Sequence, residues 1–130
     1  MSYPHLSTDC DEHHDLVRDF GGDTIPPITV LCGSTRFKDA WYEQGKRLTH
    51  EGHIVLSVGD LDTSSSARNV NVPIDPALKV RLDELHKRKI DLADEVLVLN
   101  VGGYIGSSTR SEIEYAEKLG RPVRYLEPTP

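Results

Sequence analysis

A run rich in glycine and hydroxyl residues leads into a glutamate in the last third of the chain. The run is the segment 102–109, Gly-Gly-Tyr-Ile-Gly-Ser-Ser-Thr, and Glu112 lies just beyond it. Because free backbone amides at a helix start bind anions, this segment is typical of a phosphate site. Its candidate contacts with a substrate are Tyr104, Gly106, Ser107, Ser108 and Thr109.

Glu112 is the candidate for covalent or acid–base chemistry. We expect it in the first turn of the helix after the segment, where a carboxylate could act as nucleophile or general base. Thr109 and Glu112 also have the spacing of a capping box, in which the glutamate only ties down the helix start. The spacing alone leaves both interpretations open.

A second turn, Gly33-Ser34-Thr35-Arg36, follows the first apolar run of the sequence. Glycine lets a ligand approach the backbone closely, and Ser34 and Thr35 offer hydroxyls and free amides. Arg36 could hold a phosphate through two parallel hydrogen bonds. The alternative is an ordinary turn in which Ser34 or Thr35 caps the next helix.

Two further residues could take part in chemistry at the same place. His86 lies eight residues before Asp94 in a predicted helix, which puts it roughly 12 Å along the axis, level with the upper part of a neighbouring strand. An imidazole there could transfer protons, or it could be a core histidine on an apolar stripe. Asp60, in the long loop 59–73, could bind a sugar or a base, or simply form a turn.

The elements that must position these residues alternate regularly. Short apolar runs near 28–32, 53–58, 95–100 and 122–126 predict strands, and apolar residues at helical spacing separate them. Such alternation implies right-handed crossovers. The sequence therefore predicts an α/β fold, a small Rossmann-like (flavodoxin-like) doubly wound parallel sheet of four to five strands. Ligands bind such sheets beyond the carboxyl ends of the strands, where the candidate residues fall.

Bulk composition narrows the classes of partner. The chain has 130 residues, a net charge of −6 and a pI near 5.4, which argues against a surface for duplex nucleic acid or anionic membranes. No stretch is apolar enough to span a membrane, and the first twenty residues do not resemble a signal peptide. Two cysteines form no disulfide framework, so we expect a cytoplasmic protein.

The first part of the chain differs from the rest. Residues 1–27 are rich in acids and histidine and are interpreted as an extension, followed by one domain at 28–127. Cys10, His13 and His14 fit no standard zinc spacing, so no metal and no organic cofactor are expected.

Three segments, taken together, resemble the nucleoside 2-deoxyribosyltransferase-like superfamily. They are the run 30–36, Val-Leu-Cys-Gly-Ser-Thr-Arg, the strand start at 93–96, and the run 112–116, Glu-Ile-Glu-Tyr-Ala. The resemblance covers 28–126, and the Cys-Gly-Ser-x-Arg start looks most like the deoxynucleoside 5′-monophosphate N-glycosidases. The chain also looks like uncharacterised bacterial and phage proteins. The loop before the glutamate is similar to that of cytokinin-activating phosphoribohydrolases.

The resemblance implies a set of roles. Glu112 matches the family's nucleophile, which forms a glycosyl-enzyme intermediate, and the two turns match positions that bind a phosphate or 5′-hydroxyl. It also implies a homodimer or larger homo-oligomer. His86 stands where the family often has an acid that helps protonate the departing base, and Glu114 replaces a common glycine.

The expected function is cleavage or transfer at the N-glycosidic bond of a nucleoside 5′-monophosphate or deoxynucleoside. Glu112 would be the nucleophile, and His86 the proton donor or orienting group. The alternative is a non-catalytic nucleotide sensor that uses the same pocket.

Overall fold

The computed structural model describes residues 25–59 and 75–129 as four strands and three α-helices. Residues 1–24 of the predicted extension 1–27 lie outside the described residues, and so does most of the loop after the second strand, including Asp60. The strands are β1 Ile28–Cys32, β2 Ile54–Leu56, β3 Glu95–Val98 and β4 Val123–Tyr125. The helices are α1 Lys38–His50, α2 Pro76–Leu92 and α3 Ser107–Lys118, with a short 3-10 helix at Val101–Gly103.

The four strands form one parallel sheet in the order β2-β1-β3-β4. Val30 in the middle of β1 pairs with Leu56 of β2 on one side and Val96 of β3 on the other. The predicted α/β Rossmann-like fold is therefore confirmed. The strand order reverses between β1 and β3, and open α/β sheets usually bind ligands at the carboxyl ends of the strands beside such a reversal.

Alternate residues of the central strands pack against opposite layers of helix, as the period of two in a strand requires. One layer is α1, whose Trp41 and Leu48 cover Leu31. The other layer is α2 with α3, whose Ile90 and Ala116 cover Val30. Leu31 and Val30 have no exposed surface, so both faces of β1 are buried.

Local signals in the sequence set the helix ends. The side chain of Asp75 accepts a hydrogen bond from the amide of Ala77 at 3.0 Å, and Pro76 occupies the first turn, where no amide donor is needed. Past the other ends of α1 and α3, Gly52 and Gly120 have φ angles of 91° and 76°, which favour glycine.

Three leucines in or next to the helices lie partly or mostly in solvent. Leu119, directly after the end of α3 at Lys118, is 38% exposed. On α2, Leu85 and Leu92 are 52% and 68% exposed. In the part of the chain that the structure describes, no helix is long and apolar enough to cross a membrane.

Candidate functional site

Three buried polar side chains from three different elements meet beside the carboxyl end of β1. Cys32 is the last residue of β1, His86 lies midway along α2, and Glu112 lies on α3. One donor atom of each lies within 4.8 Å of the others, and Sγ of Cys32 is 3.6 Å from Nε2 of His86. We call these three residues the buried trio; the sequence separates its members by 54 and 26 positions.

The hydrogen bonds define the proton on the His86 ring. Nε2 lies 2.8 Å from the carbonyl oxygen of Leu31, which can only accept, so Nε2 carries the proton and donates it there. With Nε2 so engaged, the carboxyl group of Glu112 is the neighbour that acts on the Cys32 thiol and helps to raise its pKa. Trp41 packs edge-on against the ring, with centroids 6.4 Å apart, and further fixes its orientation.

Burial dominates the electrostatics of the trio. Desolvation raises the pKa of Glu112 to about 7 from an ordinary 4.5, against the lowering effect of its hydrogen bond from Cys32. Burial also raises the pKa of the Cys32 thiol well above its usual range and lowers that of His86. At neutral pH the thiol and the ring are therefore uncharged, and Glu112 is divided between its acid and carboxylate forms.

The structure excludes the capping-box interpretation of Glu112. The residue at the N-cap of α3 is Gly106, in extended conformation, and no side chain caps the helix. Thr109 therefore lies inside the helix, and Glu112 falls in the second turn rather than the expected first. Only 8% of Glu112 is exposed, so its carboxyl group points toward the sheet and is not a surface cap.

The predicted anion site is the start of α3. The first amides of a helix have no partner within it and carry its positive end, and Ser107, Ser108 and Thr109 provide them here. The ammonium group of Lys79, on the first turns of α2, donates to the Ser108 hydroxyl at 3.0 Å. It also pairs with Asp83 at 3.1 Å. A cation thus stands beside this helix start.

Arg36 and Tyr104 come together although 67 residues separate them in the sequence. The guanidinium carbon of Arg36 lies 4.5 Å from the centre of the Tyr104 ring, and Phe37 contacts the same ring edge-on at 5.9 Å. Stacking holds the guanidinium plane and leaves its N–H groups able to bind a phosphate. A Cβ on Gly106 would lie 3.2 Å from the Tyr104 hydroxyl, so a larger residue would disturb this pair.

The turn after β1 has structural reasons for its glycine and serine. A Cβ on Gly33 would lie 2.9 Å from Cβ of Leu99. Glycine is therefore needed here for the close packing of this turn against the end of β3, and not for the approach of a ligand. The Ser34 hydroxyl accepts from the amide of Arg36, and its carbonyl accepts from the Trp41 indole at 3.0 Å. Neither Ser34 nor Thr35 caps α1, whose N-cap is Phe37. Through the bond from Trp41, which packs on His86, this turn holds Arg36 close to the buried trio.

Sequence reasoning missed two residues at this edge. Cys32 was noted only as part of a motif, although a residue that ends a buried parallel strand necessarily faces the crevice or the core. Lys79 was not considered, although a helix that returns to the sheet begins at the edge where strands end. Both positions follow from topology, so the predicted element order could have identified them.

Comparison with protein-family models, with curated proteins and with solved structures finds no match. The chemistry must therefore be argued from the site itself. Its parts are a buried carboxyl group that ionises near neutral pH, a helix start beside Lys79, and an arginine held on a tyrosine ring. These are suited to nucleophilic or acid–base attack next to a bound anion.

Proposed function

We propose that this protein cleaves or transfers the N-glycosidic bond of a nucleoside 5′-monophosphate or deoxynucleoside, with Glu112 as nucleophile. The observation that carries the proposal is the state of Glu112. It is a buried carboxyl group near the carboxyl ends of the strands. Among residues 25–59 and 75–129, no cationic side chain forms a salt bridge with it. An unpaired acid in such a place costs stability, which makes a role in chemistry its best explanation.

In the proposed reaction, a carboxylate oxygen of Glu112 bonds to the anomeric carbon as the bond to the base breaks. The base leaves with the electron pair of that bond and takes a proton from solvent. Water, or a second base in a transfer, then attacks the glycosyl ester and releases the carboxylate. The neutral, hydrogen-bonded ring of His86 supports an orienting role over proton donation.

The phosphate of a nucleotide would bind between Arg36 and the start of α3. This assignment is supported by two separate sources of positive charge, the guanidinium on Tyr104 and Lys79 beside Ser108. The helix amides add donors without net charge. A nucleoside without a phosphate would use the sugar-binding part of the site only.

The test is a chromatographic product assay on a panel of ribo- and deoxyribonucleosides and their 5′-monophosphates. Wild-type protein is expected to release free base from at least one substrate. Glu112→Gln should lower the rate by about 1000-fold or more, because the amide cannot form the ester. The matched control is Glu114→Gln, which changes an exposed carboxylate on the same helix and should leave the rate unchanged.

Two results would contradict the proposal in different ways. Equal activity of Glu112→Gln and wild type would remove Glu112 from the chemistry. No base release from any substrate, together with a nucleotide-induced rise in melting temperature that Arg36→Ala abolishes, would establish the nucleotide sensor instead.

A further inference from the structure

The buried trio also combines three kinds of atom that bind divalent cations. It offers a sulfur from Cys32, an imidazole nitrogen from His86 and a carboxylate oxygen from Glu112, all buried and within 4.8 Å of one another. Catalytic zinc sites typically have three protein ligands of these types and leave a fourth position open. The three come from β1, α2 and α3, so the fold itself fixes their spacing.

The distance between the two softest ligands suits a tetrahedral ion. Bonds of about 2.3 Å to sulfur and about 2.05 Å to nitrogen, at a tetrahedral angle, separate the two ligand atoms by about 3.6 Å. The observed separation of Sγ and Nε2 is 3.6 Å. The carboxyl group of Glu112 stands on a side chain with three rotatable bonds, so it can close on an ion placed between them.

The charges of the trio suit a buried ion as well. A thiolate and a carboxylate carry two negative charges, which cancel those of a divalent cation, while the imidazole ligand is neutral. A neutral buried complex avoids most of the desolvation penalty that an isolated ion would face.

We propose that Cys32, His86 and Glu112 form a binding site for a thiophilic divalent cation such as Zn²⁺. Binding releases the thiol proton and, from the acid form, the carboxyl proton. The ring proton of His86 moves from Nε2 to Nδ1, and the ion replaces the hydrogen bond to Leu31. Nothing in the spacing of Cys32, His86 and Glu112 along the chain indicates a metal site, because the three lie 54 and 26 positions apart.

The consequence for activity rests on the proposed function, whereas the binding does not. An ion coordinated by Glu112 withdraws electron density from the carboxylate and makes it a poorer nucleophile toward the anomeric carbon. Zn²⁺ is therefore a reversible inhibitor of the glycosidic reaction, and the metal-free protein is the active form.

The binding experiment uses the full chain after treatment with a chelator, titrated with Co²⁺ under anaerobic conditions. Wild-type protein is expected to bind one Co²⁺ per chain with a thiolate-to-cobalt charge-transfer band in the near ultraviolet, and Zn²⁺ should displace it. Cys32→Ser should remove the band and weaken Zn²⁺ binding by about 100-fold or more, because it loses a ligand itself. Cys10→Ser is the matched control and should keep the band.

A further variant distinguishes the loss of one metal-coordinating side chain from unfolding of the protein. Glu112→Gln keeps the thiol and the ring, so it should retain a charge-transfer band with weaker binding. Absence of a band in wild type would overturn the proposal, and so would a band that survives Cys32→Ser and disappears in Cys10→Ser.

The inhibition is measured separately, as the ratio of each variant's activity with and without Zn²⁺. Zn²⁺ should inhibit wild type, and Cys32→Ser should need a correspondingly higher concentration. An active enzyme that binds Co²⁺ but is insensitive to Zn²⁺ would overturn the inhibition. A protein inactive on every nucleotide that still shows the Cys32-dependent band would refute the proposed function and leave the metal site established.

Discussion

Helices α2 and α3 carry two polar clusters, one facing solvent and one facing the sheet. The two clusters differ in whether their charged groups are paired. On the solvent side, Arg88 pairs with Glu84 and Asp91 at 2.8 Å each and donates to the Tyr115 hydroxyl at 2.7 Å. Tyr115 in turn donates to Asp91 at 2.5 Å. We call these four residues the outer network.

Every charge in the outer network has an opposite charge or a hydrogen-bond partner beside it. Arg88 also lies 5.6 Å from the centre of the Tyr115 ring. The hydrogen bond to Asp91 raises the pKa of Tyr115, so the phenol stays protonated and keeps its bond. Such exposed pairs add little to stability individually.

The buried trio lacks this pairing. Glu112 has a thiol and an imidazole as neighbours, neither of which carries a positive charge at neutral pH. Local pairing along and between two helices therefore explains the outer network, whereas no such pairing explains the trio. A group that destabilises the fold without structural compensation is best explained by what it does.

The largest expected difference between the trio and the outer network concerns stability. The folded-state pKa of Glu112, about 7, lies above the unfolded value of 4.5, so wild type loses stability as pH rises between them. Glu112→Gln removes this loss and should stabilise metal-free protein by roughly 3 kcal/mol at pH 8, and hardly at all at pH 4. Urea unfolding at both pH values measures this difference in unfolding free energy between variant and wild type.

The control for that measurement is Asp91→Asn in the outer network, which should not stabilise the protein at either pH. If Glu112→Gln is no more stable than wild type at pH 8, the trio is as well compensated as the outer network, and the contrast between them fails.

A second prediction concerns the packing that forms the edge of the site. Gly33→Ala places a methyl group 2.9 Å from Cβ of Leu99, so strands β1 and β3 must separate. We expect a loss of about 2 kcal/mol in unfolding free energy. Gly45→Ala is the control, because a Cβ there meets nothing within 4 Å. If the two changes alter the unfolding free energy equally, the turn after β1 accommodates the added methyl group without strain.

A third prediction tests the phosphate position with Arg36→Ala. Because a charge-assisted hydrogen bond is lost, the affinity for a nucleoside 5′-monophosphate should fall roughly 20-fold, while the affinity for the matching nucleoside should change little. Arg88→Ala, in the outer network, should affect neither ligand. Calorimetric titration provides both affinities, and equal losses for nucleotide and nucleoside would refute the phosphate role of Arg36.

The smallest expected effect for a single step is the change in activity over one pH unit. Because the attacking group must be ionised, kcat/KM of metal-free enzyme should fall about tenfold for each pH unit below 7 and level off above it. Glu114→Gln should have the same profile as wild type. A profile that is flat between pH 5 and 7 would mean that ionisation of Glu112 does not limit the reaction.

Much of the fold followed from the sequence because it depends on local rules. Apolar runs bounded by glycine or polar residues identified all four strands, and Asp75-Pro76 and Gly52 have the residue types that favour the helix ends at which the structure has them. The start of α3 was misjudged because Thr109 seemed the better cap, whereas extended Gly106 ends the loop.

For the site, the sequence determined which residues could do chemistry and at which edge of the sheet they lie. It singled out Glu112, His86 and Arg36 and the helix start at 107–109, since residue type and element order are enough for that. Only the tertiary structure decided that Cys32 joins His86 and Glu112, that Tyr104 holds Arg36, and that Lys79 reaches Ser108. The physical reason is that burial and contact between distant segments set the protonation of each group, and neither quantity is local in the chain.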